Sequence, residues 1–239
     1  MIKSFKELLK RALRYQPLEN SRAPREFIAS VDDGKSPYCP PQEGDLLNAL
    51  ITQYGCVNCL EIGFATGSTA IYILDALKSG KGTLISIDTP MGDMNEIGKA
   101  NLSKSGDWKA HRLILETSVT ALPRLFNEGE KFDLIFVDGW KTFDHLAVEV
   151  YYLTRMLKEK GFMVFDDAAM PSVHKIIRML SRHYGYKEID YPSCNQTKRL
   201  RLFQILTTGT LRRPYRAVQK MVHETELAVT RDWNFFADF

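Results

Sequence analysis

From residue 57 onward, short apolar runs alternate with stretches whose apolar residues recur at helical spacing, and this alternation constrains the fold more than any other feature. The strand candidates are Val57–Ile62, Thr83–Asp88, Arg112–Glu116, Phe132–Asp138 and Phe162–Asp166. Between and after them, three apolar sets each fall on one helical face: Ala70, Ile71, Leu74 and Leu77; Leu146, Val150, Leu153 and Leu157; Val173, Ile176, Ile177, Leu180 and Tyr184. Strands separated by helices imply right-handed crossovers, so the pattern predicts an α/β fold with a doubly wound, mostly parallel sheet. The strands are apolar at nearly every residue, as expected when helices cover both faces. Tyr186–Tyr191 and Leu200–Leu206 read as a C-terminal antiparallel hairpin that completes a seven-stranded sheet.

A chain of 239 residues suits one such domain with terminal additions. The division expected is 1–41 for an amphipathic helix and an extended segment, 42–208 for the domain, and 209–239 for a helical tail. Phe5, Leu8, Leu9, Ala12 and Leu13 make the stripe of a helix over 3–15, and five prolines mark 16–41 as extended. A further helix is expected over 214–230, followed by Trp233, Phe235, Phe236 and Phe239, aromatics that need cover within the chain or in a homodimer. With 44% hydrophobic and 26% charged residues, disorder, a collagen-like chain and a coiled-coil rod are excluded. No run approaches the roughly 18 apolar residues of a membrane span, and the basic start lacks a signal-peptide core. Four cysteines do not suggest a disulfide scaffold, and Cys56 and Cys59 read as two free thiols, so a reducing cytoplasm is the expected setting.

The formal charge of +3 is unevenly placed. Residues 198–220 carry seven basic side chains and no acid, residues 1–25 carry seven against two acids, and the middle is correspondingly acidic. Basic ends serve either as solvated helix faces or as attractors of an anionic substrate, a nucleic acid or a membrane surface. The scarcity of aromatics between Arg199 and Arg213 argues against single-stranded nucleic acid.

The most informative local segment is Cys59-Leu60-Glu61-Ile62-Gly63-Phe64-Ala65-Thr66-Gly67-Ser68-Thr69. A strand ends in an acid, turns through glycines, and enters a helix at Ser68 or Thr69. Gly63 and Gly67 let backbone approach a ligand at the carboxyl edge of the sheet, beside a helix N-terminus. The spacing E-x-G-x-x-x-G differs from the dinucleotide fingerprint, and such a turn also occurs as a plain strand–helix corner. The next strand ends at Asp88, placed to accept both hydroxyls of a ribose. One strand later Ser118 is placed to reach an adenine edge or to cap the following helix. Asp138-Gly139-Trp140-Lys141 and Asp166-Asp167 then stand just past two further strand ends. Three converging carboxylates repel unless a cation or protons intervene, and oxygen ligands favour a hard ion such as Mg²⁺, with Ca²⁺ or Mn²⁺ also suited. The plainer alternative has Asp138 and Asp166 bonding backbone amides and Asp167 capping the helix after Pro171. His145 and His174, one turn into helices near the site, read either as plain helix-face histidines or as groups touching substrate.

In order along residues 42–206, LEIGFATGSTA, SIDTP, TSVTALPRL and FDLIFVDGWK resemble the class I S-adenosylmethionine-dependent methyltransferases, above all the small-molecule O-methyltransferase branch that holds the catechol O-methyltransferase-like and methyltransferase-domain-24 proteins. The resemblance implies S-adenosyl-L-methionine as cofactor, with Glu61, Gly63, Ala65, Gly67 and Ser68 around its methionine side. It implies Asp88 on the ribose, Ser118 near the adenine, and Asp138 and Trp140 lining the same pocket. It also implies Asp138, Asp166 and Asp167 as metal ligands, although the catechol-type enzymes carry Asn where Asp167 stands. Lys141 matches a lysine three residues after the first Asp, and domain-24 proteins often carry His there. Lys141 and Asp138 are accordingly the expected catalytic pair, acting on the hydroxyl of a small-molecule acceptor. Two other classes stand beside this expectation: an NAD-dependent oxidoreductase, disfavoured by the absence of G-x-G-x-x-G, and a non-catalytic nucleotide-binding or assembly module. A nucleic-acid methyltransferase is disfavoured because no Asn-Pro-Pro-Tyr-like motif follows the fourth strand.

Overall fold

The computed structural model describes residues 22–78, 82–106, 109–189 and 214–222. Two helices open it, α1 (Arg22–Val31) and α2 (Pro41–Tyr54), and then strands and helices alternate as the sequence pattern requires: β1 (Asn58–Ile62), α3 (Ser68–Leu77), β2 (Thr83–Asp88), α4 (Asp93–Ser105), β3 (His111–Leu115), α5 (Ser118–Asn127), β4 (Phe132–Val137), α6 (Phe143–Met156), β5 (Leu157–Phe165), α7 (Pro171–His183), β6 (Tyr186–Ile189) and β7 (Arg216–Lys220). The seven strands form one sheet in the order β3-β2-β1-β4-β5-β7-β6. Strands β1 to β5 pair in parallel, while β7 runs antiparallel to both β5 and β6.

Because side chains alternate across a strand, each strand feeds both faces of the sheet. Leu60, Ile62, Ile85, Ile87, Ile135 and Val137 pack with Leu122 and Leu125 of α5, Leu146 and Val150 of α6, and Val173 and Ile177 of α7. Cys59, Leu84, Leu134, Phe136 and Val164 pack on the other side with Leu47 and Leu50 of α2 and Ile71 and Leu74 of α3. Both faces are thus buried, which accounts for strands without polar alternation and for the doubly wound architecture.

Three expectations are corrected. Residues 22–31 are helical where an extended segment was expected, because Pro24 lies in the first turn, where its missing N–H breaks no helical hydrogen bond. Arg216–Lys220 is a strand, where a helix over 214–230 was expected. Five residues with only Ala217 and Val218 apolar carry no periodicity that separates helix from strand; what decides is the open hydrogen-bonding edges of β5 and β6, between which Ala217 and Val218 are buried. The sheet therefore draws its penultimate strand from the segment assigned to the tail, and the domain extends past residue 208. The partner of β6 is β7, whereas Leu200–Leu206, expected in that place, lies outside the described residues, as do the 3–15 helix and the aromatic tail. No helix among the described residues is long and apolar enough to cross a membrane.

Candidate active site

In a parallel sheet every strand that precedes a crossover delivers its last residues to the same edge, so β1, β2, β4 and β5 bring the singled-out residues together there. Glu61 is fully buried near the end of β1, where it accepts a 2.6 Å hydrogen bond from Ser86 Oγ on Oε2, and Oε1 has no hydrogen-bond partner among the described residues. Burial pushes its carboxyl well above the usual carboxylate range, with Asp138 and Asp88 adding to the rise. The turn that follows has positive φ at Gly63 (97°), Ala65 (43°) and Gly67 (72°). A Cβ on Gly63 would collide with the Asp138 carbonyl, so glycine is what lets the turn lie against the end of β4. Ser68 begins α3, and its Oγ accepts the backbone N–H of Cys39 at 2.8 Å.

Asp88 does more than end β2. Its Oδ2 accepts the amides of Phe64 at 3.1 Å and Ala65 at 2.7 Å, and its Oδ1 accepts the amide of Thr89 at 2.8 Å. The acid expected on a ribose thus also holds the glycine turn in shape. Ser118 occupies the first turn of α5, preceded by Thr117 as the capping position, and no side chain caps that helix. Its Oγ donates instead to Glu149 Oε1 at 2.6 Å and lies 2.9 Å from His145 Nε2, so the capping alternative is set aside. Trp140 is 67% exposed, which excludes a role as a core aromatic.

Lys141, with a side chain only 13% exposed, places Nζ 2.7 Å from Asp138 Oδ1 and 3.9 Å from Asp167 Oδ2. Oxygens of Asp138, Asp166 and Asp167 all lie within 4.8 Å of one another. Burial and the neighbouring Asp166 push the Asp138 carboxyl up to about 7 against the pull of Lys141. Burial and Asp166 also raise Asp167. Asp167 sits at φ 50°, and α7 starts without a side-chain cap, so Asp167 does not cap that helix. The oxygens of Asp138, Asp166 and Asp167 are close enough together to ligate a hard cation.

The acidic cluster has a member that the sequence did not indicate. Glu43, in the first turn of α2, is 2% exposed, and burial followed by the charges of Asp166 and Asp138 holds its carboxyl well above its usual range. It comes from a helix ahead of the first strand, so no strand-end position marks it. A second unheralded group is His111 on β3, whose Nε2 lies 2.9 Å from Ser86 Oγ and thereby extends the Glu61 contact by one more residue. Other expectations fall outside the site. His174 Nδ1 lies 3.0 Å from Arg216 Nη1, and Cys56 and Cys59 are buried free thiols, as expected.

A family model described as a methyltransferase domain matches residues 60–168, from the end of β1 through the acids after β5. That stretch is similar to a methyltransferase domain. An Arabidopsis thaliana protein named with the caffeoyl-CoA O-methyltransferases is 27% identical to it over 168 residues, spanning 65% of this chain and 70% of that protein. Tricin synthase 2 of Oryza sativa subsp. japonica is 29% identical over 134 residues, spanning 54% of this chain and 44% of its own length. The O-methyltransferase TomG of Streptomyces achromogenes, solved with S-adenosylmethionine, superposes with a TM-score of 0.64 at 16% identity, covering 91% of this chain and 96% of that one. At that identity the likeness is one of fold. Together the likenesses are to methyltransferase domains and to proteins named as O-methyltransferases, the direction in which the sequence motifs also point.

Proposed function

We propose that this chain transfers a methyl group from S-adenosylmethionine to a hydroxyl of a small molecule. The observation that carries the reading is the contact of the Gly63 turn with the backbone of Asp138: the place for the cofactor and the Lys141–Asp138 pair share a wall. The residues fit such a ligand. Glu61 keeps a buried oxygen without a hydrogen-bond partner among the described residues, Asp88 and Ser118 follow the ends of β2 and β3 along one sheet edge, and Trp140 is exposed just past β4. In this reading Glu61, Gly63, Ala65, Gly67 and Ser68 surround the methionine part, Asp88 takes the ribose, and Ser118 and Trp140 take the adenine.

Bound S-adenosylmethionine supplies an electrophilic methyl on a sulfonium sulfur. The chain's own contribution is to hold the acceptor oxygen in line with it and to receive a proton. The acceptor hydroxyl passes its proton into the Lys141–Asp138 pair, and its oxygen forms the new bond to carbon as the carbon–sulfur bond breaks. Asp138, Asp166 and Asp167 would hold a divalent cation such as Mg²⁺, which when bound supplies a Lewis acid for the acceptor hydroxyl. Three buried free thiols are in keeping with a reducing, cytoplasmic setting, and the terminal segments proposed to pair two copies lie outside the described residues.

Lys141→Ala is expected to lower methyl transfer by roughly 10²- to 10⁴-fold while leaving binding of S-adenosylhomocysteine near that of the intact chain. Asp138→Ala is expected to lose turnover too. Single-turnover transfer of labelled methyl to a catechol or caffeoyl acceptor, beside calorimetric binding, measures both. Full activity of Lys141→Ala would remove the lysine from the mechanism, and full turnover in excess EDTA would remove the cation.

A further inference from the structure

Ser118, His145 and Glu149 form a closed hydrogen-bonded group on α5 and α6, and counting its donors shows what it can still bind. A serine hydroxyl has one hydrogen to give and two lone pairs to receive. Ser118 gives its hydrogen to Glu149 Oε1 at 2.6 Å. His145 Nε2 lies 2.9 Å from Ser118 Oγ and 3.3 Å from Glu149 Oε1. With the Ser118 hydrogen given to Glu149, the tautomer that satisfies this geometry has the hydrogen on Nε2, donating toward Ser118 Oγ. One lone pair of Ser118 Oγ remains. Glu149 is fully buried, and its Oε2 has no hydrogen-bond partner among the described residues. Every hydrogen that these three groups turn toward one another is therefore spent, and what is left over is acceptors. Gly139 lies against the Glu149 carboxyl with backbone alone: a Cβ there would stand 2.8 Å from Ile62 Cγ2 and 3.4 Å from Glu149 Oε1.

A site with spare acceptors and no spare donor favours a ligand group that brings hydrogens. A carbonyl oxygen in the same place leaves the buried acceptors unpaired and adds a third acceptor beside them. We propose that Glu149 and His145 are positioning residues that fix Ser118 as a hydrogen-bond acceptor for the 6-amino group of the cofactor's purine, so that the domain rejects 6-oxo purine nucleosides. The inference rests on the reading above that the adenine lies by Ser118.

The test is calorimetric binding of S-adenosylhomocysteine and of S-inosylhomocysteine, which differs by a 6-oxo in place of the 6-amino group. The intact chain is expected to bind the inosyl compound at least about tenfold more weakly. In Glu149→Gln the new amide can donate to Ser118, which frees the hydroxyl hydrogen toward the purine, and the preference is expected to shrink to threefold or less or to invert. His145→Gln, a change on a partly exposed helix turn, is expected to shift the ratio in the same direction and serves if Glu149→Gln does not fold. Equal affinities in the intact chain, or a ratio unchanged in both variants while S-adenosylhomocysteine still binds, would overturn the inference alone. Failure of the intact chain to bind either compound would overturn the underlying function and this inference with it.

Discussion

At the scale of single residues, the most consequential pairing is lateral, between strands. His111 stacks on Phe64 with ring centroids 5.6 Å apart and reaches Ser86, which in turn bonds Glu61. Burial lowers the His111 pKa from 6.5 to about 4. The unfolded chain then binds a proton on this histidine that the folded chain does not, at every pH between those values. Its contribution to stability is whole above pH 6.5 and falls away as the pH drops toward 4, by about 2 kcal/mol at pH 5. His111→Gln keeps a hydrogen-bonding group without the titration. Urea unfolding at pH 7.5 and pH 5 is expected to show a loss for the variant smaller than that of the parent by about that amount; equal losses would contradict the assignment. Contacts of this kind depend on register. Leu84 pairs with His111 and Ser86 with Leu113, and only that diagonal brings Ser86 beside the imidazole. Nothing in a linear sequence sets that diagonal. Asp138, Lys141, Asp166 and Asp167 were legible because they sit at strand ends, where a parallel sheet gathers whatever it carries. Glu43 was not legible, because its helix reaches the same edge from outside the alternating pattern.

Among the elements, the join of β1 to β4 and β5 is secured at the edge opposite the candidate site. Asp133, near the start of β4, accepts the amides of Val57 and Asn58 on Oδ2 at 3.1 and 2.9 Å and the Lys158 ammonium on Oδ1 at 2.8 Å. Removing it leaves two amides at the head of β1 without an acceptor. Asp133→Ala is therefore expected to cost about 2 kcal/mol in urea unfolding while leaving the affinity for S-adenosylhomocysteine unchanged. A large loss of affinity at unaltered stability would show that this edge and the site are coupled in a way the contacts do not suggest. The five parallel strands were readable because each is followed by a helix or a turn of distinct composition. Strand β7 was not, because Arg216–Lys220 becomes a strand only through pairing on both sides with β5 and β6. Even Lys220, which belongs to the basic run, is fully buried there and donates to the carbonyls of Thr154 and Leu157, each at 2.8 Å.

For the molecule as a whole, the small net charge conceals a division of labour. Basic residues that suggested an anionic partner are partly committed within the fold: Arg216 pairs with Glu188, Arg25 with Asp45 and Lys220 with backbone carbonyls. Three acids of the middle region, in contrast, collect at one sheet edge, where Asp138, Asp166 and Asp167 lie near Lys141 beside the glycine turn. The functional reading is carried by the contact of that turn with the Asp138 backbone. It is tested most directly by calorimetric titration of the intact chain with S-adenosylhomocysteine and, in parallel, with NAD. Saturable one-to-one binding of S-adenosylhomocysteine, with no binding of NAD, is the predicted result. Saturable binding of NAD, or no binding of S-adenosylhomocysteine, would contradict it.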